Sequence, residues 1–296
     1  MLDFKKLTIN DIERTRYYFN FSTNKICDNT VGGTYMWRDY FEAEYAEFDN
    51  TLVLKVKIKY HGGVTAFTLP LGKDVCNGIK SIENYCHIAN IPLVFCNVTK
   101  EEFQKIKTMY RYHNVMMYQE TNWSDYLYFA SDLVSLAGRK YHGQRNHINY
   151  FNREYGNYIF EEISKTNIDE VREFYSNLDV MKESEIFIEE RKKTFEVLDN
   201  YNTYGLIGGL IRLNGEVVAF SVGEVCRDVL HIHIEKADIS YRGIYQVMNK
   251  DFATHYISPG IEFINREEDV GDIGLRVSKE AYHPCEVIDK YIVEVI

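Results

Sequence analysis

The sequence predicts a mixed α/β (α+β) chain, helices covering mixed sheets, built as two tandem copies of one unit. Three features recur in the same order. Helix starts "TINDIERTRYYFN" at Thr8 and "KTNIDEVREFYSN" at Lys165 share a polar entry and helically spaced apolar positions, at a constant offset of 156 from Ile12 to Ile168. Paired strand-like runs follow, "TLVLKVKIKYHGGVTAFTL" and "YGLIGGLIRLNGEVVAFSV", aligning Ala66-Phe67-Thr68 with Ala219-Phe220-Ser221 and the His61-Gly62-Gly63 turn with Asn214-Gly215. "IPLVFCNV" and "GIEFINRE" then each set an apolar run before a polar, helix-like stretch.

Each copy therefore reads as helix, hairpin, helix, strand, helix and strand pair, an arrangement that buries one sheet under helices. Tyr126 to Phe129 reads as the last strand of the first copy and Tyr158 to Ile163 as the first of the second, with a connecting helix from Asp132 to Tyr155. The expected divisions are residues 1–137, a connecting basic helix at 138–156, and residues 157–296.

At 296 residues, with 45% hydrophobic and 26% charged content, the chain is long enough for two packed cores and has no segment biased towards disorder. No apolar run approaches the roughly 18 residues that cross a bilayer, and the N-terminus lacks the apolar run of an export signal. The expected location is the cytoplasm. Six cysteines (Cys27, Cys76, Cys86, Cys96, Cys226, Cys285) include no CxxC pair and read as buried, reduced thiols.

A formal net charge of −10 excludes a broad basic face for nucleic acid, yet from Gly138 to Arg153 the chain has no Asp or Glu. On a helix, "RKYHGQRNHINYFNREY" puts Arg139, His142, Asn146, Asn149 and Arg153 on one polar face, and Tyr141, Ile148, Phe151 and Tyr155 on an apolar one. Such a face is either solvated surface or, with Lys140 and Arg145, a stripe for phosphate, sugar or carbonyl oxygens.

In "DVLHIHIEKADISYRGIYQVMNKDF" alternation separates Leu230, Ile232 and Ile234 from His231, His233 and Glu235. No flanking Cys/His pair completes a zinc set. Glu235 beside His233 suits proton transfer near neutral pH, or else forms a solvated strand face. Arg242-Gly243 before a helix from Ile244 to Tyr256 is a weak phosphate cradle. Asn265, Arg266, Glu267, Glu268 and Asp269 follow the next strand, where α/β sheets open their crevices. A helix over Gly271 to Tyr282 then carries Arg276, Lys279 and His283 on one face and ends at Pro284. Groups of both signs there suit a zwitterionic ligand such as an amino acid ester.

"DYLY" at Asp125, "GRKYHGQRNHINYF" at Gly138, "HIEKA" at His233, "RGIYQVMN" at Arg242, "FINREEDVGDIGLR" at Phe263 and "AYHP" at Ala281 together resemble bacterial proteins similar to the phosphatidylglycerol lysyltransferase C-terminal domain. The resemblance covers nearly the whole chain. It implies two tandem GNAT-like acyltransferase domains, related to the FemABX peptidyltransferases, and an aminoacyl group moved from charged tRNA to a lipid or peptidoglycan-precursor acceptor. The membrane-spanning portion of the lysyltransferases has no counterpart in this sequence, which counts against phosphatidylglycerol as acceptor. Ser240-Tyr241-Arg242-Gly243-Ile244-Tyr245 departs from the GNAT coenzyme A loop at Ser240 and Tyr245, which disfavours acetyl-CoA.

The expected function is acyl transfer from aminoacyl-tRNA, or a similar phosphate-bearing donor, to an amine or hydroxyl. Glu235 and His233 would move the proton, and Lys236 and Arg242 would face phosphate or the oxyanion. Glu267 to Asp269 would hold an α-ammonium, and the helix from Arg139 would track a tRNA end. A CoA-dependent N-acetyltransferase using acyl-CoA and a non-catalytic binding module are the alternatives.

Overall fold

The computed structural model describes residues 2–59, 62–178 and 184–296. The chain folds as two compact units, and neither is one continuous stretch. The first holds Met1–Asp125, Glu268–Gly271 and Ile288–Ile296; the second holds Tyr126–Glu267 and Asp272–Val287.

In the first unit the order is β1 (Lys5–Lys6), α1 (Ile12–Phe19), α2 (Val31–Trp37), β2 (Glu44–Phe48), β3 (Thr51–Ile58), β4 (Val64–Phe67), β5 (Leu71–Gly72), α3 (Val75–Ala89), β6 (Leu93–Val98), α4 (Lys100–Met109) and β7 (Val115–Gln119). The second continues with β8 (Asp125–Phe129), α5 (Ala130–Ser135), α6 (His142–Tyr155), β9 (Ile159–Glu162), α7 (Ile168–Asn177), α8 (Glu185–Asp199), α9 (Tyr201–Tyr204), β10 (Ile207–Leu213), β11 (Glu216–Cys226), β12 (Val229–Ala237), α10 (Ile244–Tyr256), β13 (Phe263–Asn265), α11 (Ile273–Glu280) and β14 (Glu286–Ile288). The last strand, β15 (Tyr291–Val295), returns to the first unit's sheet.

Local chemistry sets many of these bounds. Thr99 accepts from the Glu102 amide while the Glu102 carboxylate accepts from the Thr99 amide, a capping box that starts α4. The Asp74 carboxylate accepts from the Asn77 amide at the start of α3, and Asn90 ends that helix in the left-handed region.

The two sheets share one strand order. The first runs β1-β2-β3-β4-β6-β15-β7, with β5 also on β3, and the second runs β9-β10-β11-β12-β13-β8-β14. In both, the fourth and fifth strands, β4 with β6 and β12 with β13, form the parallel pair among antiparallel neighbours. The tandem repeat expected from sequence is therefore present in the topology. Each unit has its own apolar core, one around Val53, Phe67, Phe95 and Val293, the other around Phe151, Leu230, Met248 and Phe252.

Three expectations are corrected. Tyr126 to Phe129, read as closing the first copy, pairs with β13 in the second sheet, and β15 takes the equivalent place between β6 and β7. Both strands are largely buried and apolar, and such a pattern does not say which sheet a strand joins.

The hairpin alignment is one strand out of step. The counterpart of the Asn214-Gly215 turn is Asp49-Asn50, between β2 and β3; all four residues have positive φ, as a tight two-residue hairpin requires. Thus β4 corresponds to β12, not β11. Strand periodicity is the same in every strand, so a one-strand slip preserves the pattern. His61, of the turn proposed instead, lies outside the described residues.

Finally, the single helix expected from Asp132 to Tyr155 is broken at Leu136 and Gly138, both at positive φ, and resumes through a short turn at Arg139–Tyr141. The apolar face assigned to it is correct: Tyr141, Ile148 and Phe151 are buried in the second unit's core, and Tyr155 packs against it.

Candidate active site

The site begins with a fork in the second unit's sheet. Strands β12 and β13 pair only at Val229, Leu230 and His231, while β12 runs on to Ala237. Beyond His231 the two parallel strands therefore part at their carboxyl ends, where α/β sheets place ligands. A bulge accompanies the parting, because Gly223 of β11 faces Ile232 and Val222 faces Ile234, so the ladder passes over His233. A Cβ on Gly223 would lie 2.2 Å from the His231 carbonyl oxygen, so glycine permits that close approach.

Glu235 stands in the fork. Its Oε1 accepts from Arg266 Nη2 at 3.2 Å and its Oε2 from Asn249 Nδ2 at 3.4 Å, joining β12 to the residue after β13 and to α10. Arg266 lies over the Tyr282 ring, 4.9 Å from its centroid. Burial opposes the guanidinium charge, but Glu235 and the neighbouring tyrosines hold it on. On the two residues that bond Glu235, Arg266 Nη1 and Asn249 Oδ1 have no hydrogen-bond partner among the described residues, a donor and an acceptor next to one carboxylate. Buried polar atoms are seldom left unpaired, so a ligand group is their natural complement.

His233 is held differently from a free base. Its Nδ1 donates to Glu267 Oε1 at 2.6 Å and its Nε2 to Glu224 Oε1 at 2.9 Å. Burial opposes the charge, but the two carboxylates outweigh it and raise the imidazole to about 10. At neutral pH both ring nitrogens carry protons, so His233 is a fixed cation that orients Glu224 and Glu267. Lys236 donates to Glu190 Oε1 at 2.6 Å, and that carboxylate keeps the ammonium charged against burial.

The acids at 267–269 do not converge. Glu267 holds His233, Glu268 belongs to the first unit and accepts from Lys290 at 2.5 Å, and Asp269 there caps the Gly271 amide at 2.8 Å. Asn265 is buried, with its Oδ1 accepting from the Glu267 amide. Lys279 donates to the Arg266 carbonyl at 2.6 Å, so it fixes the backbone of the arginine at the fork. Arg276 lies on α11.

The basic stretch is only partly open. Arg139, His142, Asn146, Asn149 and Arg153 are exposed on one side of the segment. However, Lys140 pairs with Asp132 at 2.9 Å, and Arg145 donates to the carbonyls of Leu136 and Gly138, closing the end of α5. His142 Nε2 and Asn146 Nδ2 are 3.1 Å apart. Arg242 is exposed and lies 4.7 Å from the Tyr150 ring centroid, on whose ring Arg153 also packs. A Cβ on Gly243 would come within 2.5 Å of the His147 carbonyl oxygen, so α6 crowds the helix start read as a phosphate cradle.

The sequence reading did not single out Asn249, Glu224 or Glu190, whose distances from Glu235, His233 and Lys236 along the chain carry no local signal. It also missed a cluster in the first unit. There the Lys290 ammonium lies 2.5 Å from Asp28 Oδ2, 2.7 Å from Asp125 Oδ1 and 2.5 Å from Glu268 Oε1, with Cys27 Sγ at 3.5 Å. Burial pushes the Asp125 carboxyl up to about 6 although Lys290 pulls it down. Among the described residues these acids and Cys27 are spaced closely enough to hold a metal ion, but the ammonium sits among them.

Comparison with known proteins gives consistent relationships. The model of the family "Phosphatidylglycerol lysyltransferase, C-terminal" matches residues 19–294. An uncharacterized protein of Mycoplasmoides gallisepticum is 23% identical over 207 residues, covering 68% of this chain and 64% of the relative. The chain thus matches somewhat under two thirds of that relative's length. A conserved protein of unknown function from Bacteroides thetaiotaomicron has the same fold over the whole of both chains, with a TM-score of 0.90 and 28% identity. The structure of L-PGS from Bacillus licheniformis aligns over 85% of this chain and 83% of its own, with a TM-score of 0.60 and 16% identity. The chain accordingly belongs to the family of the phosphatidylglycerol lysyltransferase C-terminal domain.

Proposed function

We propose that this protein transfers an aminoacyl group from a charged tRNA, or a similar phosphate-bearing donor, to an amine or hydroxyl acceptor, with the reaction centred on Glu235. The observation that carries this reading is the Glu235 carboxylate between an arginine with an unpartnered Nη1 and an asparagine with an unpartnered Oδ1, at the open end of a parallel strand pair.

The geometry suggests a division of labour. Glu235 takes the proton of the acceptor's amine or hydroxyl as its nitrogen or oxygen attacks the ester carbonyl. Arg266 Nη1 donates to the oxyanion that forms, and Asn249 Oδ1 accepts from the ammonium of the aminoacyl group. Collapse breaks the ester bond, and the departing ribose hydroxyl takes back the proton held by Glu235. His233, already protonated on both nitrogens, steadies the carboxylates of Glu224 and Glu267 rather than moving a proton. The exposed Arg139 and Arg242, with Arg153 beside its Glu154 partner, are cations that can meet the donor's phosphates.

RNA and small molecules captured from a cell extract by the purified protein test the donor. Enrichment of one tRNA at low salt, weakened by Arg139→Ala with Arg153→Ala, supports the reading. Absence of RNA at low salt combined with micromolar acetyl-CoA binding would replace it with a CoA-dependent N-acetyltransferase.

A further inference from the structure

The four ends of the two sheets are not alike. β1 is two residues long and both are lysines. β9 carries Glu161 and Glu162, which Arg212 and His255 engage. β14 is three residues long and begins with Glu286. These are the usual protections of a sheet edge, brevity and charge. β7 has neither: its five residues, Val-Met-Met-Tyr-Gln, include no charge and no proline. Met116, Met117 and Tyr118 are 37%, 40% and 41% exposed. Among the described residues no strand pairs with its outer edge.

We propose that two copies of this chain associate by antiparallel pairing of their β7 strands about a two-fold axis at Met117. The hydrogen-bond pattern permits that axis. Asn114 and Ile296 exchange both backbone bonds, and the Glu120 amide donates to the Lys290 carbonyl, so the even-numbered residues bond inward to β15. Val115, Met117 and Gln119 then point their amides and carbonyls outward. With Met117 opposite its copy, Val115 meets Gln119, and every outward group at these three positions gains a mate.

The side chains fit the same register. Met116 lies opposite Tyr118 of the second copy, the same two side chains that already meet within one strand, where the Tyr118 hydroxyl donates to Met116 Sδ at 3.4 Å, and a thioether facing a phenol ring is a favourable pair. Asn114 lies opposite Glu120, which places the Arg111 and His113 end of one strand beside the Glu120 end of the other. No like charges face each other at any step.

Sedimentation of the full chain at concentrations up to on the order of 100 µM tests the proposal, since self-association is read by mass action. The wild type is expected to show a two-chain mass. Met117→Lys sets two ammonium groups on the axis and Met117→Glu two carboxylates, so each variant alone is expected to be a single chain. An equimolar mixture of the two is expected to regain the two-chain mass. Residue 117 bonds outward, so the internal ladder is kept, and circular dichroism checks that both variants remain folded. A wild type that stays a single chain throughout the range, or a folded Met117→Lys variant that keeps the two-chain mass, would overturn the proposal.

Discussion

Glu235 and His233 are two residues apart on one strand, yet their surroundings give them opposite chemistry. Glu235 is shared by one guanidinium and one amide, each with a polar atom left over, whereas His233 is clamped by two carboxylates. The consequence is a pH dependence of known sign. The His233 pKa is raised in the folded chain from an ordinary 6.5 to about 10, so its contribution to stability is complete below about 6.5 and is lost as pH rises through 10. Ring-nitrogen NMR is expected to show His233 protonated on both nitrogens at pH 8. Chemical unfolding between pH 7 and 10 is expected to show a steeper loss of stability for the wild type than for His233→Gln. A neutral imidazole at pH 8 would contradict this assignment. Lys290 is the corresponding case in the first unit: buried among three carboxylates, it is held charged far above its ordinary range. Lys290→Met is expected to cost about 3–5 kcal/mol, the scale for leaving buried charge uncompensated, measured by urea unfolding.

At the scale of the element, the fork depends on close backbone approaches that only glycine allows. Gly243 has a φ of +96° and its missing side chain makes room for the His147 carbonyl, which brings α6 against the start of α10. Gly243→Ala is expected to lower stability by about 1–3 kcal/mol, from the strained φ together with the clash, as read by thermal or urea unfolding. Several elements were legible in the sequence because their signals are local. α10 is observed over Ile244–Tyr256, the bounds read from its periodicity, and α6 buries the apolar face assigned to it. The break at Leu136 was not legible, since nothing in its residue type demands a positive φ. α11 begins at Ile273 rather than Gly271 because Asp272 caps it, accepting from the Leu275 amide at 2.8 Å.

Across the whole molecule, the repeat was legible as an order of elements, but its strand assignments were not. Order survives because each copy must bury the same faces in the same sequence, whereas strand partners are chosen by tertiary contact. The exchange of β8 and β15 between the sheets followed from no pattern in either strand. Site residues divided in the same way. Glu235 and Arg266 lie in stretches whose residue types drew notice, while Asn249 and the Lys290 cluster come together only in the fold. No helix among the described residues is long and apolar enough to cross a membrane.

Single-turnover transfer from a pool of charged tRNAs, comparing wild type with Glu235→Gln, tests the central claim most directly. Consumption of one aminoacyl-tRNA by the wild type, slowed about 10²- to 10⁴-fold in Glu235→Gln with RNA binding unchanged, is the predicted result. Equal rates for the two proteins would contradict it.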